Sequence, residues 1–376
     1  MNGQMQKLVI EMGINELIIY IVAVFFVLGA IDRCIGNKWG LGEKFGEGFQ
    51  TMGSIALAMV GIISLAPVLA KILTPLVLPV YSLIGADPAS FANTILALDM
   101  GGYALAEAMS QTEQAALFSW VFLGTMLGPT IAFTIPISLG MIEKQDYPYF
   151  AKGILLGIVT VPVGCLAGGL IAGLDFAMII RNLVVPVLLA ALIAVGLWRR
   201  KEKVLVVFSL FGKAVQLVAV TGLALIGVET LTGLVIIPGM LPINEGIQIV
   251  GAIALFLAGA FPMMAFITKI GGKTLRNIGR KAGMDKVSTA GMLASLAHVI
   301  PMLAMLKSME PRGKVVNVAF AVSGAFAFGG HLGFVAGVNQ DMVFAVVAGK
   351  LIGGASAVAL AFFITPKPAD HGEEQA

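Results

Sequence analysis

The chain reads as an all-α polytopic membrane protein with inverted structural repeats, about nine spans and two re-entrant helical hairpins. Three observations predict this. The 376 residues are 58% hydrophobic and 12% charged, with a mean hydropathy of +0.96. A soluble domain is about 45–50% apolar and about 25% charged. Several runs reach the roughly 20 apolar residues that a bilayer-spanning helix needs. Second, "GEGFQTMGSIALAMVG" (46–61) and "NEGIQIVGAIALFLAG" (244–259) agree at eight of sixteen positions without a gap. Third, Lys and Arg cluster in particular loops, which orients each span.

The spans follow in order at 17–31, 48–70, 115–140, 151–173, 178–198, 204–226, 246–268, 315–338 and 341–364. No cleavable signal peptide is evident before the first, which is expected to stay as a span. The loops "WRRKEK" (198–203) and "KIGGKTLRNIGRK" (269–281) are strongly basic and are assigned to the cytoplasm. The apolar segment 288–306 is followed by "KSMEPRGK", which is basic again. A crossing there would put that loop outside. A helical hairpin that enters and leaves on the cytoplasmic side removes the conflict, with Pro301 and His298 near its break. Its counterpart at 89–109 dips in from the outside, with Gly101 and Gly102 able to turn the chain. Plain threading with ten or eleven spans is the alternative. It would leave Lys307, Arg312 and Lys314 outside.

The duplication continues. "ASFANTILALDM" (89–100) and "ASLAHVIPMLAM" (294–305) share six of twelve residues, which sets Asn93 opposite His298. Further on, 122–133 lies opposite 322–333. Residues 1–175 form the first transmembrane repeat, 176–203 a linking span and 204–365 the second repeat. Residues 366–376 form a disordered cytoplasmic tail. The N-terminus is expected outside. Repeats of this kind are the mark of transporters that bind a solute near the bilayer midplane between the units.

Ionisable residues at membrane depth are the first functional candidates. Asp99 and Glu107 flank Tyr103 in "LDMGGYALAE". Glu107 could equally be solvated at the surface. Asp99 could pair with Lys350, which lies mid-run in the last span. Lys213 sits nearer a helix end, where snorkelling suits it. His298 and His331 could hold a polar solute or carry protons, or could serve as structural hydrogen-bonders. Asn93, Asn317 and Ser323 are polar positions able to face a cavity. Trp120, Tyr103 and Phe326 could present aromatic faces to an organic cation, although packing explains each singly.

Other chemistries are excluded or unsupported. Cys34 and Cys165 form no metal or redox motif. "KIGGKT" has Ile267 where a phosphate-binding loop needs its first glycine. No metalloprotease, serine-hydrolase or paired-carboxylate pattern occurs, so no enzyme, cofactor or metal is expected. A net charge of +3 gives no reason to expect nucleic acid.

The opening residues 12–70 resemble the start of the bacterial ethanolamine-utilisation permeases. The likeness continues through "LALDMGGYALAEAMSQ", "GPTIAFTIPISLGMIEKQD" and "SGAFAFGGHLGFVAGVNQDM". It implies an ethanolamine transporter of the bacterial inner membrane. A facilitator or an ion-coupled carrier, with H+ or Na+ as the coupling ion, is expected in the lipid bilayer, as a homo-oligomer. The closing region also resembles, more distantly, the concentrative nucleoside transporters, which have re-entrant hairpins in inverted repeats. Two other readings stay open: a carrier of another small amine or nucleoside-like solute, and a membrane scaffold that transports nothing.

Overall fold

The computed structural model describes residues 13–281 and 283–365. The expected outside N-terminus and the tail at 366–376 lie outside the described residues. All regular elements among the described residues are helical. Among the described residues, eight helices are long and apolar enough to cross a bilayer. They are α1 (Ile14–Cys34), α2 (Leu41–Leu83), α5 (Glu113–Met141), α6 (Tyr147–Ile171), α7 (Phe176–Leu197), α8 (Glu202–Thr232), α9 (Ile243–Lys281) and α14 (Val343–Ile364). The chain is a polytopic all-α membrane protein.

The remaining helices are short and come in pairs. α3 (Ala89–Ile95) and α4 (Gly102–Met109) are separated by irregular backbone containing one 3₁₀ turn, Leu98–Met100. α10 (Lys286–Ala297) and α11 (Val299–Met305) meet at His298, whose backbone is extended. The expected ninth span at 315–338 is not one helix. It is α12 (Pro311–Gly324) and α13 (Gly330–Val338), joined by non-helical residues. Two glycines begin that break region and end it, and Phe326 within it takes a left-handed φ of 60°, which a side chain seldom adopts.

Some boundaries also differ from expectation. α2 runs on past 70 to Leu83, through Pro67, Pro75 and Pro79. Each proline removes one hydrogen bond but leaves the apolar wall intact. The basic loop at 198–203 is only a kink, with Arg200 at φ −144° and ψ 51°. The chain reverses there. A Cβ on Gly196 would lie 2.8 Å from Val204, whereas eight residues of straight helix span about 12 Å.

Glycine sets the central contacts. α2 has its most extensive contact with α9, and α6 with α14. A Cβ on Gly48 would collide with the backbone of Ala258, and one on Gly246 would sit 3.1 Å from the Cα of Val60. Gly48 and Gly246 are 198 residues apart, as are Val60 and Ala258. The two helices therefore run antiparallel and touch reciprocally. In the second pair, Gly164 meets Gly349 and Gly353, while Gly349 meets Gly164 and Gly168. α5 and α12 are the most enclosed elements, and α1 and α8 the least. Exposed leucines such as Leu188, Leu210 and Leu217 clothe the outside, as a lipid-facing surface requires.

Gly48→Val should destabilise the detergent-solubilised protein by about 1–3 kcal/mol, the usual cost of overpacking. Gly53→Val lies on the same helix with nothing within 4 Å and should cost far less. Thermal unfolding of both variants checks this; equal losses would mean that the α2–α9 contact is not close.

Candidate functional site

The broken elements are held in place by paired polar groups, because backbone freed from a helix cannot turn to water inside a bilayer. Asp87 accepts from Ala89 N (2.9 Å) at the start of α3 and from Gln111 N (2.9 Å) just after α4. Asp285 does the same for the second pair. It accepts from Ser288 N (2.6 Å) and from Glu310 N (3.2 Å) after α11. Each aspartate thus closes the two ends of one helix pair. Neither was singled out from sequence, although both open the pattern Asp-x-x-Ser, 198 residues apart, a helix-start signature.

Each tip is seated against the shaft that follows it. Gly128 of α5 lies where a Cβ would strike Leu96 O, and Gly329 where one would strike Ala297 O. In the second half the break itself is paired: Phe326 N donates to Ser295 O and Phe328 N to Leu296 O, both at 2.9 Å. α5 stays continuous but is irregular at the matching level. π-helical turns occur at Phe118–Leu123 and Thr130–Thr134, around Pro129. These equivalences are 198–201 residues apart. The expected register of 205, which matched Asn93 to His298, differs from these by four to seven residues, one to two helical turns. Alanine- and leucine-rich helices align well at a four- or seven-residue slip, which keeps to the same face. His298 falls instead opposite the tip that bears Ala97 and Asp99.

The two tips, the α12–α13 break, α5, α2 and α8 enclose a chamber of about 790 Å³. Asp99 is the one carboxylate among its lining residues, and His298, His331 and Phe326 line it too. The aromatic side is stacked. His298 and Phe326 rings are 4.7 Å apart, and Phe326 and His331 rings 4.5 Å. His298 Nδ1 accepts from Ile300 N (3.2 Å), which leaves Nε2 to carry the proton of the neutral ring. A second cavity of about 910 Å³ lies between α2, α9 and α10, and includes Lys44 and Lys269. Ser54 and His298 border both spaces. Chemically the chamber offers one acid, the Lys213 ammonium on its α8 wall, imidazoles and ring faces. That combination suits a small solute with a cationic and a hydroxylic end.

A family model described as "Ethanolamine utilisation protein, EutH" matches residues 14–364. The chain belongs to this family. It is 61% identical over 355 residues to "Uncharacterized protein YxeR" of Bacillus subtilis, covering 94% of this chain and 96% of the relative. It is 57% identical over 353 residues to "Probable ethanolamine permease EutH" of Listeria monocytogenes, covering 94% and 95%. It is 43% identical over 394 aligned positions to the protein of the same name from Salmonella typhimurium, covering 95% and 97%. No solved structure matches it.

The other sequence-derived residues of this EutH-family chain lie elsewhere. Tyr103 and Trp120 form an aromatic cluster with Phe334, their rings 5.2 Å and 5.4 Å from Tyr103. Trp120 Nε1 donates to Glu107 Oε1 at 2.9 Å, on an otherwise exposed Glu107. Asn93 does not face the chamber. It accepts from Ser119 Oγ (2.9 Å) and ties α3 to α5. Asn317 donates to Ser288 O and Gly313 O, both at 2.9 Å, and ties α12 to α10. Ser323 is buried against Gly353, with no partner for its hydroxyl among the described residues. The expected Asp99–Lys350 pair is not formed. Lys350 donates to Thr125 O at 2.6 Å instead, and its 1% exposed side chain is not among the chamber's lining residues. Lys213, expected to snorkel, is among them, with Ser209 and Gln216 of α8.

Asp87→Ala and Asp285→Ala each remove a helix cap, which costs about 0.5–2 kcal/mol. The loss should be larger for Asp87, which is buried. Thermal unfolding, with limited proteolysis to locate the loosened segment, checks both.

Proposed function

We propose that this chain is an ethanolamine permease of the bacterial inner (cytoplasmic) membrane, and that protonated ethanolamine sits in the chamber with its ammonium against Asp99. The observation that carries the reading is the family match over residues 14–364, joined to a chamber lined by a single carboxylate. Relatives matched over nearly their full length bear the name probable ethanolamine permease. The protein is a transporter and not an enzyme. An alkyl ammonium is charged at neutral pH, as lysine is, and charge crosses hydrocarbon poorly. Asp99 neutralises it, the Phe326 face adds a cation–π attraction of about 0.5–2 kcal/mol, and His298 Nε2–H donates to the hydroxyl oxygen.

The two halves act as inverted repeats, with α3–α4 and α10–α11 as hairpins dipping from opposite faces. The reciprocal antiparallel contacts of α2 and α9 support this. Repeats related by an axis along the membrane normal would bring Gly48 near Gly246 rather than near Ala258. The basic end is cytoplasmic by loop charge. There Lys314, in the first turn of α12, bonds Asp146, just before α6, at 2.5 Å. The second cavity opens toward that end and meets the chamber at Ser54 and His298. The packed rings of Tyr103, Trp120 and Phe334 are not among the chamber's lining residues. An inward-facing conformation is read from the second cavity.

Asp99→Asn should reduce saturable uptake of labelled ethanolamine into proteoliposomes by about 10- to 100-fold, the worth of a charge-assisted hydrogen bond. Unchanged uptake in a correctly inserted variant would refute the site. The ratio of uptake with and without the protein should rise as external pH falls, because acid removes the neutral amine that leaks through lipid; a ratio that rises toward alkaline pH would contradict binding of the ammonium form. In a background lacking exposed Cys34, Thr51→Cys should react with an impermeant thiol reagent from the cytoplasmic side. Labelling only from outside would reverse the orientation.

A further inference from the structure

We propose that Lys350 is a tethered cation that occupies an ion site built into α5, so that the protein needs no bound alkali cation. The site begins with a proline. Pro129 has no N–H to offer the carbonyl four residues earlier, that of Thr125, and Thr130 N turns to Leu127 O instead. A carbonyl released in this way is the kind of group that coordinates Na+ in broken transporter helices. Here it takes the ammonium of Lys350 at 2.6 Å. His331 Nδ1 lies 3.4 Å from the same nitrogen. Among the described residues no carboxylate stands within 4.0 Å of it. The direct partners of the cation are thus neutral groups, as for an ion in a carbonyl site, and Asp99 stands beyond ion-pair distance.

The surrounding helices are shaped for this. Gly349 and Gly353 flank Lys350 and let α14 close on α6 at Gly164 and Gly168. That approach brings the lysine within reach of α5. His331 links the site to the chamber, since its ring both neighbours Lys350 and stacks on Phe326. Cation and solute therefore lie on either side of one imidazole. A diffusible ion at this place would have to bind and leave in each cycle. A covalently held one does not, and transport then runs without a sodium requirement.

The uptake part of this rests on the carrier reading; the binding part does not. The full chain is purified in detergent, and thermal unfolding is followed in NaCl, KCl or methylammonium chloride at equal ionic strength. The natural protein should unfold at one temperature in all three. Lys350→Ala should unfold lower, and methylammonium should raise it by about 2–4 °C over either alkali salt by filling the vacated place. Lys350→Met, whose stem fills the space without charge, should gain nothing from methylammonium. In proteoliposomes, uptake by the natural protein should agree within about twofold in Na+ and K+, a difference too small to signal a coupled ion. A sodium-specific stabilisation or sodium-dependent uptake of the natural protein overturns the proposal. So does a Lys350→Met protein as stable and active as the natural one. If Lys350→Ala yields no folded protein, the salt comparison on the natural chain still decides. If no saturable uptake is seen at all, the carrier reading fails, while the unfolding comparison judges the ion site alone.

Discussion

Every backbone N–H and C=O within hydrocarbon must find a partner inside the protein, and the architecture follows from how this chain meets that demand where its helices stop. It interrupts helices in several places at membrane depth. Two of these interruptions are answered by particular groups: the 295–296 carbonyls at the Phe326 break, and Lys350 at Pro129, while Asp87 and Asp285 close the outer ends of the short pairs. The chamber exists because these answers are side chains and neighbouring backbone rather than more helix. Polar groups can then point into a space that a continuous bundle would fill with leucine.

The halves share a frame but not a lining. Glycines at 48 and 246, aspartates at 87 and 285 and glycines at 128 and 329 do the same work in each. The groups that line the chamber differ: an acid at one tip, a histidine at the other, and a ring stack only where the second shaft is broken. One α5 turn bends around a proline where α12 and α13 part altogether. On the repeat reading proposed above, a shared scaffold comes from duplication, and divergence between the halves gives the proposed site an asymmetric surface for a solute that is itself different at its two ends.

Much of the scaffold was legible beforehand. Apolar runs and loop charges located the long helices, and the irregular points of the short pairs fall near the Gly101 and His298 signals. The missing ninth helix was hard to foresee, because "GAFAFGG" is as apolar as the spans beside it and only its glycines hint at a break. Asp99 stood out as an acid in an apolar run. Asn93, Asn317 and Ser323 could not be sorted from cavity residues, since a helix buried all round has no polar face to read. The pairing of Glu107 with Trp120, and of Lys350 with a carbonyl rather than an acid, depends on contacts between segments distant in sequence. Asp87 and Asp285 each open a capping pattern, but they lie outside the apolar runs, where an acid does not stand out.

The chamber's 790 Å³ is several times the volume of ethanolamine, and this has a consequence for discrimination. A vessel so much larger than its cargo cannot reject impostors by fit while it stands open. On the proposed site any small ammonium has room to reach Asp99, and so do bulkier amines. Choice must then be exercised when the walls come together: a guest that spans from Asp99 to the imidazoles lets the tips approach, and one that is too short or too wide leaves them apart. Amines of the second sort would lodge without being carried, so the spectrum of compounds that block this protein should be broader than the spectrum it moves.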